Sequence, residues 1–456
     1  MFRRIGLFAA SRWVIVPAAL GFMAANVPAQ IQEQDRQRAR QMLVQAKKDL
    51  HKYYYDSTFG GWNIEAAYAR ADSAIQSAPS PNHAFAMVAD FMSQLNDSHT
   101  KFYPPRIAAS VNYGFGMQAF GDSVRITSVV EKSDAEAKGL RVGDRVVTWD
   151  RMRVNRKALP LIRYVYLSLS PRPLIRLTIE RDGEAAPRTL DIAARIKKRQ
   201  TTVDETDIDV QRDIIAGWED ASRAARHFFR AYGDSVIVWR MPSFIGGDET
   251  GIDEMMKDVR KRRAVVLDLR NNGGGAVSTL EYLIGKFFNR DVPYLVWSER
   301  GKDSLYVAKP SDKDPYLGLM VILINSNSAS ASEVFSSALQ REGRAIVVGD
   351  RSMGAVVVSR TFGHEVGFGR VYDFSNQISV ADMRTPEGQR LEGVGVTPDH
   401  VIVPTPEDLC KRRDPQLAKA LSLVGVTVTA EEAGRLFWGE KMRKYAAERL
   451  GKNACL

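Results

Sequence analysis

Three serines alternate with alanine in the stretch VILINSNSASASEVFSSALQ, at Ser328, Ser330 and Ser332. The apolar run at 321–324 spills into small residues, and a helix-like stretch follows from Glu333. A hydroxyl at a strand-to-helix junction is placed to attack, because the helix N-terminus favours negative charge developing beside it. It remains a poor nucleophile at neutral pH unless a base takes its proton. Upstream, DLRNNGGG at 268–275 follows the continuously apolar AVVL. Its glycines let the backbone approach a ligand and aim N–H groups at it, as in an oxyanion hole; a tight turn is the plain alternative. The phosphate-loop pattern GxxxxGK[ST] is absent, which argues against nucleotide binding.

The base must come from a short supply, since the chain has six histidines. His51, His83 and His227 lie in polar, helix-like stretches and read as surface residues. His400 follows a Pro-Asp pair and reads as a loop residue. His364, soon after the core strands, and His99, in LNDSHT, are the two serious candidates. Taken alone, His99 fits a structural role better than a catalytic one.

The elements that must position these groups fall into distinct textures. The first 29 residues carry Arg3, Arg4 and Arg12, no acids and a mostly apolar stretch ending ANVPA, the pattern of a cleaved secretory signal peptide and hence of an exported, periplasmic or secreted protein. An uncleaved anchor is the competing reading, made uncomfortable by Arg12 and Pro17. Residues 30–108 show helical periodicity up to LNDSHTKFYPP and form the expected N-terminal helical domain. Residues 109–197 turn to short alternating strands and glycine turns, with a hairpin signal at the Asp-Gly pair 182–183. Residues 198–405 alternate apolar strands with helices, as crossover connections in a mostly parallel sheet require. Residues 406–456 read as a helical extension packed outside. The expected class is a multidomain α/β protein.

The 456 residues exceed one compact core. The formal charge of +10 comes from Lys and Arg interleaved with acids, so a solvated basic surface is favoured over a nucleic-acid groove. Cys410 and Cys455 could pair in an oxidising compartment or stay free. No His, Cys or carboxylate cluster has ligand spacing, so neither metal nor cofactor is expected.

Together these motifs carry a resemblance. Residues 109–197 resemble a PDZ domain, with Gly114-Phe115-Gly116 in place of its carboxylate-binding loop and GLRVGDRV at 139–146 following its pattern. DLRNNGGG, then SASASE, then LEGVGVTPDH at 391–400 resemble the C-terminal processing and tricorn-type serine peptidases over roughly residues 90–405. The resemblance implies a nucleophile at Ser330, oxyanion-hole N–H groups at Ala331 and Gly274 (or Gly273), and structural roles for Ser328 and Ser332 on local backbone at the helix start.

The processing branch takes its base from a lysine in an FGKG-like motif. Here SMGAVV puts Ala355 in that place, and Arg341 replaces an aspartate of that branch, so a Ser–Lys dyad there is excluded. The tricorn branch uses a histidine preceded by serine, upstream of the PDZ unit, and a glutamate late in the core. Ser98, His99 and Glu392 match that order, with Glu387 as the less favoured glutamate. The implied function is an exported serine endopeptidase acting on peptides or unfolded proteins, held by their C-termini. An inactive peptide-binding scaffold of the same family is the alternative, and an acyl-transfer enzyme on small esters shares the chemistry.

Overall fold

The computed structural model describes residues 31–105, 109–198, 227–367 and 371–436. The signal-like segment, Cys455 and the last part of the helical extension lie outside them. Helices α1 (Glu33–Tyr53), α2 (Ile64–Gln76) and α3 (Pro81–Ser93) open the chain. Asn63 caps α2 by accepting from Ala66 N–H at 2.9 Å, and Ser80 with Pro81 starts α3. Their apolar stripes bury Leu43, Leu50, Ile75, Val88 and Phe91 in a cluster that continues into Phe374 and Ile378, far downstream. The helices therefore rest on a sheet instead of closing on themselves. The last part of the segment departs from the helical expectation. Lys101–Tyr103 forms strand β1, with Phe102 fully buried between two half-buried neighbours.

Strands β2 (Ala109–Asn112) and, at the far end, β9 (Arg195–Lys198) pair antiparallel and bring together the two ends of the next unit. Between them lie β3 (Phe115–Phe120), β4 (Ser123–Val129), β5 (Arg145–Trp149), β6 (Met152–Arg153), β7 (Leu174–Glu180) and β8 (Arg188–Ala193), with helices α4 (Asp134–Ala137) and α5 (Leu159–Tyr164). The sheet order β3-β4-β5-β7-β8 leaves β3 at an edge. Inward side chains such as Val124, Ile126, Trp149, Leu177 and Ile179 form a separate core. Gly183 takes φ +86° at the Asp-Gly turn between β7 and β8, which glycine adopts without a Cβ clash.

The remaining chain builds two sheets. The first has the order β10 (Phe228–Tyr232), β11 (Val236–Arg240), β12 (Ala264–Asp268), β15 (Leu319–Ile324), β16 (Ile346–Gly349) and β19 (His400–Val401). All its neighbours from β11 to β19 run parallel; β10 alone is antiparallel. Successive residues face opposite layers, and both layers are dry. Ile237, Trp239, Val265, Leu267 and Ile322 pack under α6 (Glu249–Val259), α7 (Val277–Gly285) and α8 (Ala331–Arg341). Val236, Val238, Val266, Val321 and Leu323 pack against α10 (Pro415–Leu423) and α11 (Ala430–Leu436), which follow the short α9 (Pro406–Lys411).

The second sheet was not anticipated from the sequence. It joins β1 to β18 (Tyr372–Arg384), β13 (Val292–Glu299) and β14 (Lys302–Ala308), and β17 (Val357–Val366) also pairs with β18. Every pair in it is antiparallel. No helix among the described residues is long and apolar enough to cross a membrane.

Candidate active site

Ser330 stands between β15 and α8 with φ +55° and ψ −120°. A non-glycine residue there costs about 1–3 kcal/mol and persists only where its surroundings hold it. They do so from two sides: Ser330 N–H donates to Ala355 C=O at 3.0 Å and to Glu333 Oε2 at 3.0 Å. Glu333 is wholly buried and also accepts from Ser352 Oγ at 2.5 Å, Gly354 N–H at 2.7 Å and Ala355 N–H at 2.9 Å. Burial pushes its carboxyl up to about 7, against the pull of these four donors.

The flanking serines are fully buried and fasten the junction to the glycine loop. Ser328 Oγ donates to Leu269 C=O at 2.8 Å, and Ser332 Oγ to Asn272 C=O at 2.9 Å. The sequence reading gave them local partners at the helix start. Ser328 Oγ does have one, accepting from Asn325 N–H at 2.9 Å, but both donated bonds cross about sixty residues to the neighbouring strand's loop. A Cβ on Gly274 would lie 2.7 Å from Ser330 Cβ and 2.9 Å from Ala331 N, so only glycine allows this approach. The N–H of Gly274, however, donates to Asn272 Oδ1 at 2.8 Å and is already engaged. The neighbouring Gly273 N–H and the Ala331 N–H at the start of α8 have no hydrogen-bond partner among the described residues.

The loop is clamped from outside as well. Arg270 donates to Asp268 Oδ2 at 2.8 Å and to Asp414 Oδ1 at 2.8 Å, the residue that caps α10. Burial alone would raise Asp268, but the Arg270 guanidinium outweighs it and holds the carboxyl below its ordinary value.

His99 reaches this region on a different support. Asp97 Oδ1 accepts from His99 N–H at 2.9 Å and Thr100 N–H at 2.6 Å, a local turn that side-chain carboxylates favour. It also accepts from Ser379 Oγ at 2.8 Å, pinning the turn to β18 where β1 pairs alongside. His99 Nδ1 lies 2.6 Å from Ser98 Oγ, which donates to Glu392 Oε2 at 3.1 Å; Ser98 N–H reaches Glu392 Oε1 at 2.8 Å. Glu392 Oε2 also accepts from Val356 N–H at 2.6 Å. Val356 follows Ala355, whose carbonyl holds Ser330. The sequence thus brings together residues separated by 294 positions. No hydrogen bond joins Ser330 Oγ to His99 among the described residues.

Burial lowers the His99 pKa, and the Lys101 ammonium lowers it further against an opposing pull from Asp97. Burial raises Glu392 against the N–H groups of Val356 and Ser98. With Ser98 Oγ donating to the carboxylate, it is free to accept from His99 Nδ1–H, which leaves the lone pair on Nε2. Lys101, which sequence reasoning passed over, is itself lowered by burial, with Asp97 and Glu392 opposing; its position two residues after His99 was the available signal.

The rivals have other occupations. His364 sits on β17 with Nε2 2.6 Å from Asp49 on α1. His227 is neither helical nor on the surface: it accepts from Trp239 Nε1 at 2.8 Å and lies 2.6 Å from Asp248. Glu387 is half-exposed and pairs with Arg341 at 2.9 Å. Ala355 is buried, and a methyl group stands where a lysine would begin. In the edge-strand unit, a Cβ on Gly114 would lie 2.4 Å from Ser133 Cβ. Its N–H donates to Asn112 Oδ1 at 2.8 Å, so this first amide of the Gly114-Phe115-Gly116 loop is engaged.

Comparison with known proteins finds similarity to serine proteases. Residues 236–402 match Peptidase family S41. A "Probable CtpA-like serine protease" of Staphylococcus saprophyticus is 26% identical over 377 residues, covering 81% of this chain and 66% of the relative. The "Tail-specific protease" of Haemophilus influenzae is 27% identical over 58% of this chain and 37% of its own length. The "Carboxyl-terminal-processing protease" of Picosynechococcus is 24% identical over 80% of this chain and 83% of the relative. The chain thus spans under two thirds of the length of the first two. Among solved structures, mature CPAF aligns at TM-score 0.62 and 15% identity over 82% of this chain and 94% of its own, a likeness of fold. By these matches residues 236–402 are similar to peptidase family S41.

Proposed function

We propose that this protein is a serine endopeptidase acting on peptides or unfolded proteins, with Ser330 as nucleophile and His99 as general base. The observation that carries the reading is the Ser98–His99–Glu392 cluster, tied through Val356 to the backbone that holds Ser330. His99 Nε2 takes the Ser330 proton as Oγ attacks the scissile carbonyl carbon. The resulting oxyanion is held by N–H groups, each worth on the order of 3 kcal/mol of barrier. His99 then gives its proton to the leaving amine, and an acyl ester remains on Ser330. Water, deprotonated by the same imidazole, hydrolyses that ester. Ser98 and Glu392 position the imidazole and fix its tautomer. Ala331 N–H and Gly273 N–H form the oxyanion hole; the engaged Gly274 N–H contributes only if Asn272 turns away.

The domain boundaries read from the sequence are part of this proposal. Residues 30–108 carry the Ser–His pair, 109–197 form a PDZ domain that captures substrate C-termini by strand addition, and 198–405 form the peptidase core. The tail from 406 clamps the core through Asp414. Residues 1–29 direct export, to the periplasm or beyond.

A fluorophosphonate probe tests the reading. Labelling of wild-type protein at Ser330, and none in His99→Ala, is expected. Unlabelled wild-type protein that still binds peptides would establish the inactive scaffold instead. Labelling that survives His99→Ala and vanishes in His364→Ala would name a different base.

A further inference from the structure

The edge strand β3 is occupied in this structure, and its occupant is informative. Alternate residues of an antiparallel strand turn their carbonyls away from the partner strand. On β3 the Met117 and Ala119 carbonyls accept from outside the sheet: Met117 from Arg163 Nη2 on α5, and Ala119 from Ser326 Oγ at 2.5 Å. A peptide added along β3 needs these same carbonyls for its own N–H groups.

Arg163 has little else. Its bond to Met117 is the one hydrogen bond it makes among the described residues, and no carboxylate there pairs with it. Burial pulls its pKa below the ordinary arginine value with nothing opposing. Arg181 and Arg156, by contrast, are compensated by Asp144 at 2.7 Å and Asp350 at 2.5 Å, while Arg344 shares with Arg163 a set of carbonyl partners only. A peptide N–H that takes the Met117 carbonyl strips Arg163 of that bond. A desolvated guanidinium left without an anion is costly, so the peptide that binds is one that replaces what it removes.

We infer that Arg163 selects peptides carrying an acidic side chain two residues before their C-terminus. This rests on the PDZ reading of residues 109–197. If the terminal carboxylate meets the loop at Gly114–Gly116 and the peptide runs antiparallel to β3, the terminal residue lies opposite Phe115. The residue two before it then lies opposite Met117, beside Arg163. Two residues further back the peptide meets Ala119 and Ser326. Ser326 belongs to the loop that carries Ser330, so the upstream chain leaves the groove at the catalytic side of the molecule.

The test measures binding to full-length Ser330→Ala protein, which cannot form an acyl-enzyme with the probes. Fluorescent decapeptides differ only in Glu, Gln or Lys two residues before the C-terminus, each with a free or amidated end. The Glu peptide is expected to bind about tenfold more tightly than the Gln peptide, as a desolvated charge-assisted bond allows, and the Lys peptide most weakly. Adding Arg163→Gln should flatten the series to within about twofold with the thermal midpoint little changed, and Arg163→Glu should invert it. If amidation weakens every peptide but Glu and Lys bind alike, the role of Arg163 is wrong and the PDZ reading stands. If amidation has no effect, the PDZ reading fails and this inference fails with it.

Discussion

The two halves of the candidate site are built in opposite ways. The Ser330 half is made inside one parallel sheet: β12 and β15 are neighbours, and the loops that follow them are bonded together by Ser328, Ser332 and Asn272. The His99 half is borrowed from outside that sheet. It arrives on a turn stitched to β18 by Asp97 and to the core by Glu392. The first half holds a strained residue rigidly within a buried network. The second depends on contacts that link positions almost three hundred residues apart. Reactivity of the hydroxyl should therefore be sensitive to the seam between the halves, and folding to the first half alone.

The severest break of this comparison removes a partner outright. Ser330→Ala and His99→Ala should each lower kcat for peptide cleavage by roughly 10⁴-fold or more, with thermal unfolding little changed. Next comes the clamp on the first half. Arg270→Met leaves Asp268 buried without its close partner and should cost roughly 3–5 kcal/mol in denaturant unfolding. The pH dependence gives an independent reading. In the wild type Asp268 titrates below its unfolded value, so its stabilisation is present above about pH 4 and is lost as pH falls. In Arg270→Met burial is opposed only by Arg240 and the residue-270 N–H, so the carboxyl should titrate higher than in the wild type and the stabilisation lost on acidification should shrink.

The seam itself is probed more gently. Glu392→Gln keeps the side chain's size but withdraws the charge that orients Ser98; losses of roughly 10–100-fold in kcat/KM are expected from such a supporting residue, with KM little affected. The mildest change is Lys101→Met. The Lys101 ammonium helps burial hold His99 below the ordinary histidine value of about 6.5. Catalysis needs the neutral imidazole, so the acid limb of kcat/KM should fall below that value in the wild type and move up in the variant. A limb that stays in place would detach Lys101 from the base.

The same contrast explains what could be read in the sequence. The strands are continuously apolar over 264–267 and 320–324 because both faces are covered there, and they announce themselves. The serine and glycine runs follow directly on those strands. The second sheet gives no such signal: β17 carries Arg360, His364 and Glu365 with much of its length exposed, so neither periodicity nor composition marks it. Without that sheet, nothing in the spacing of His99 says where it goes; family resemblance alone pointed to it. β1 was hidden for a related reason, since three residues with one buried aromatic carry no period. His227 was misread because RAARHFFRAYG looks helical, although FFRAY supplies an edge strand and the imidazole just before it turns in to Trp239. The engaged amides of Gly114 and Gly274 depend on asparagine side chains two residues earlier, a pairing visible only in three dimensions.

The central claim is spatial, that one imidazole from the upstream segment serves the hydroxyl of the sheet. A crystal structure of the protein covalently modified at Ser330 by a fluorophosphonate would measure it. The claim requires His99 Nε2 within about 3 Å of the Ser330 Oγ or of the phosphonyl oxygens, with Ser98 still between Nδ1 and Glu392. An adduct in which His99 stays out of reach, or in which another base lies against Oγ, would contradict it.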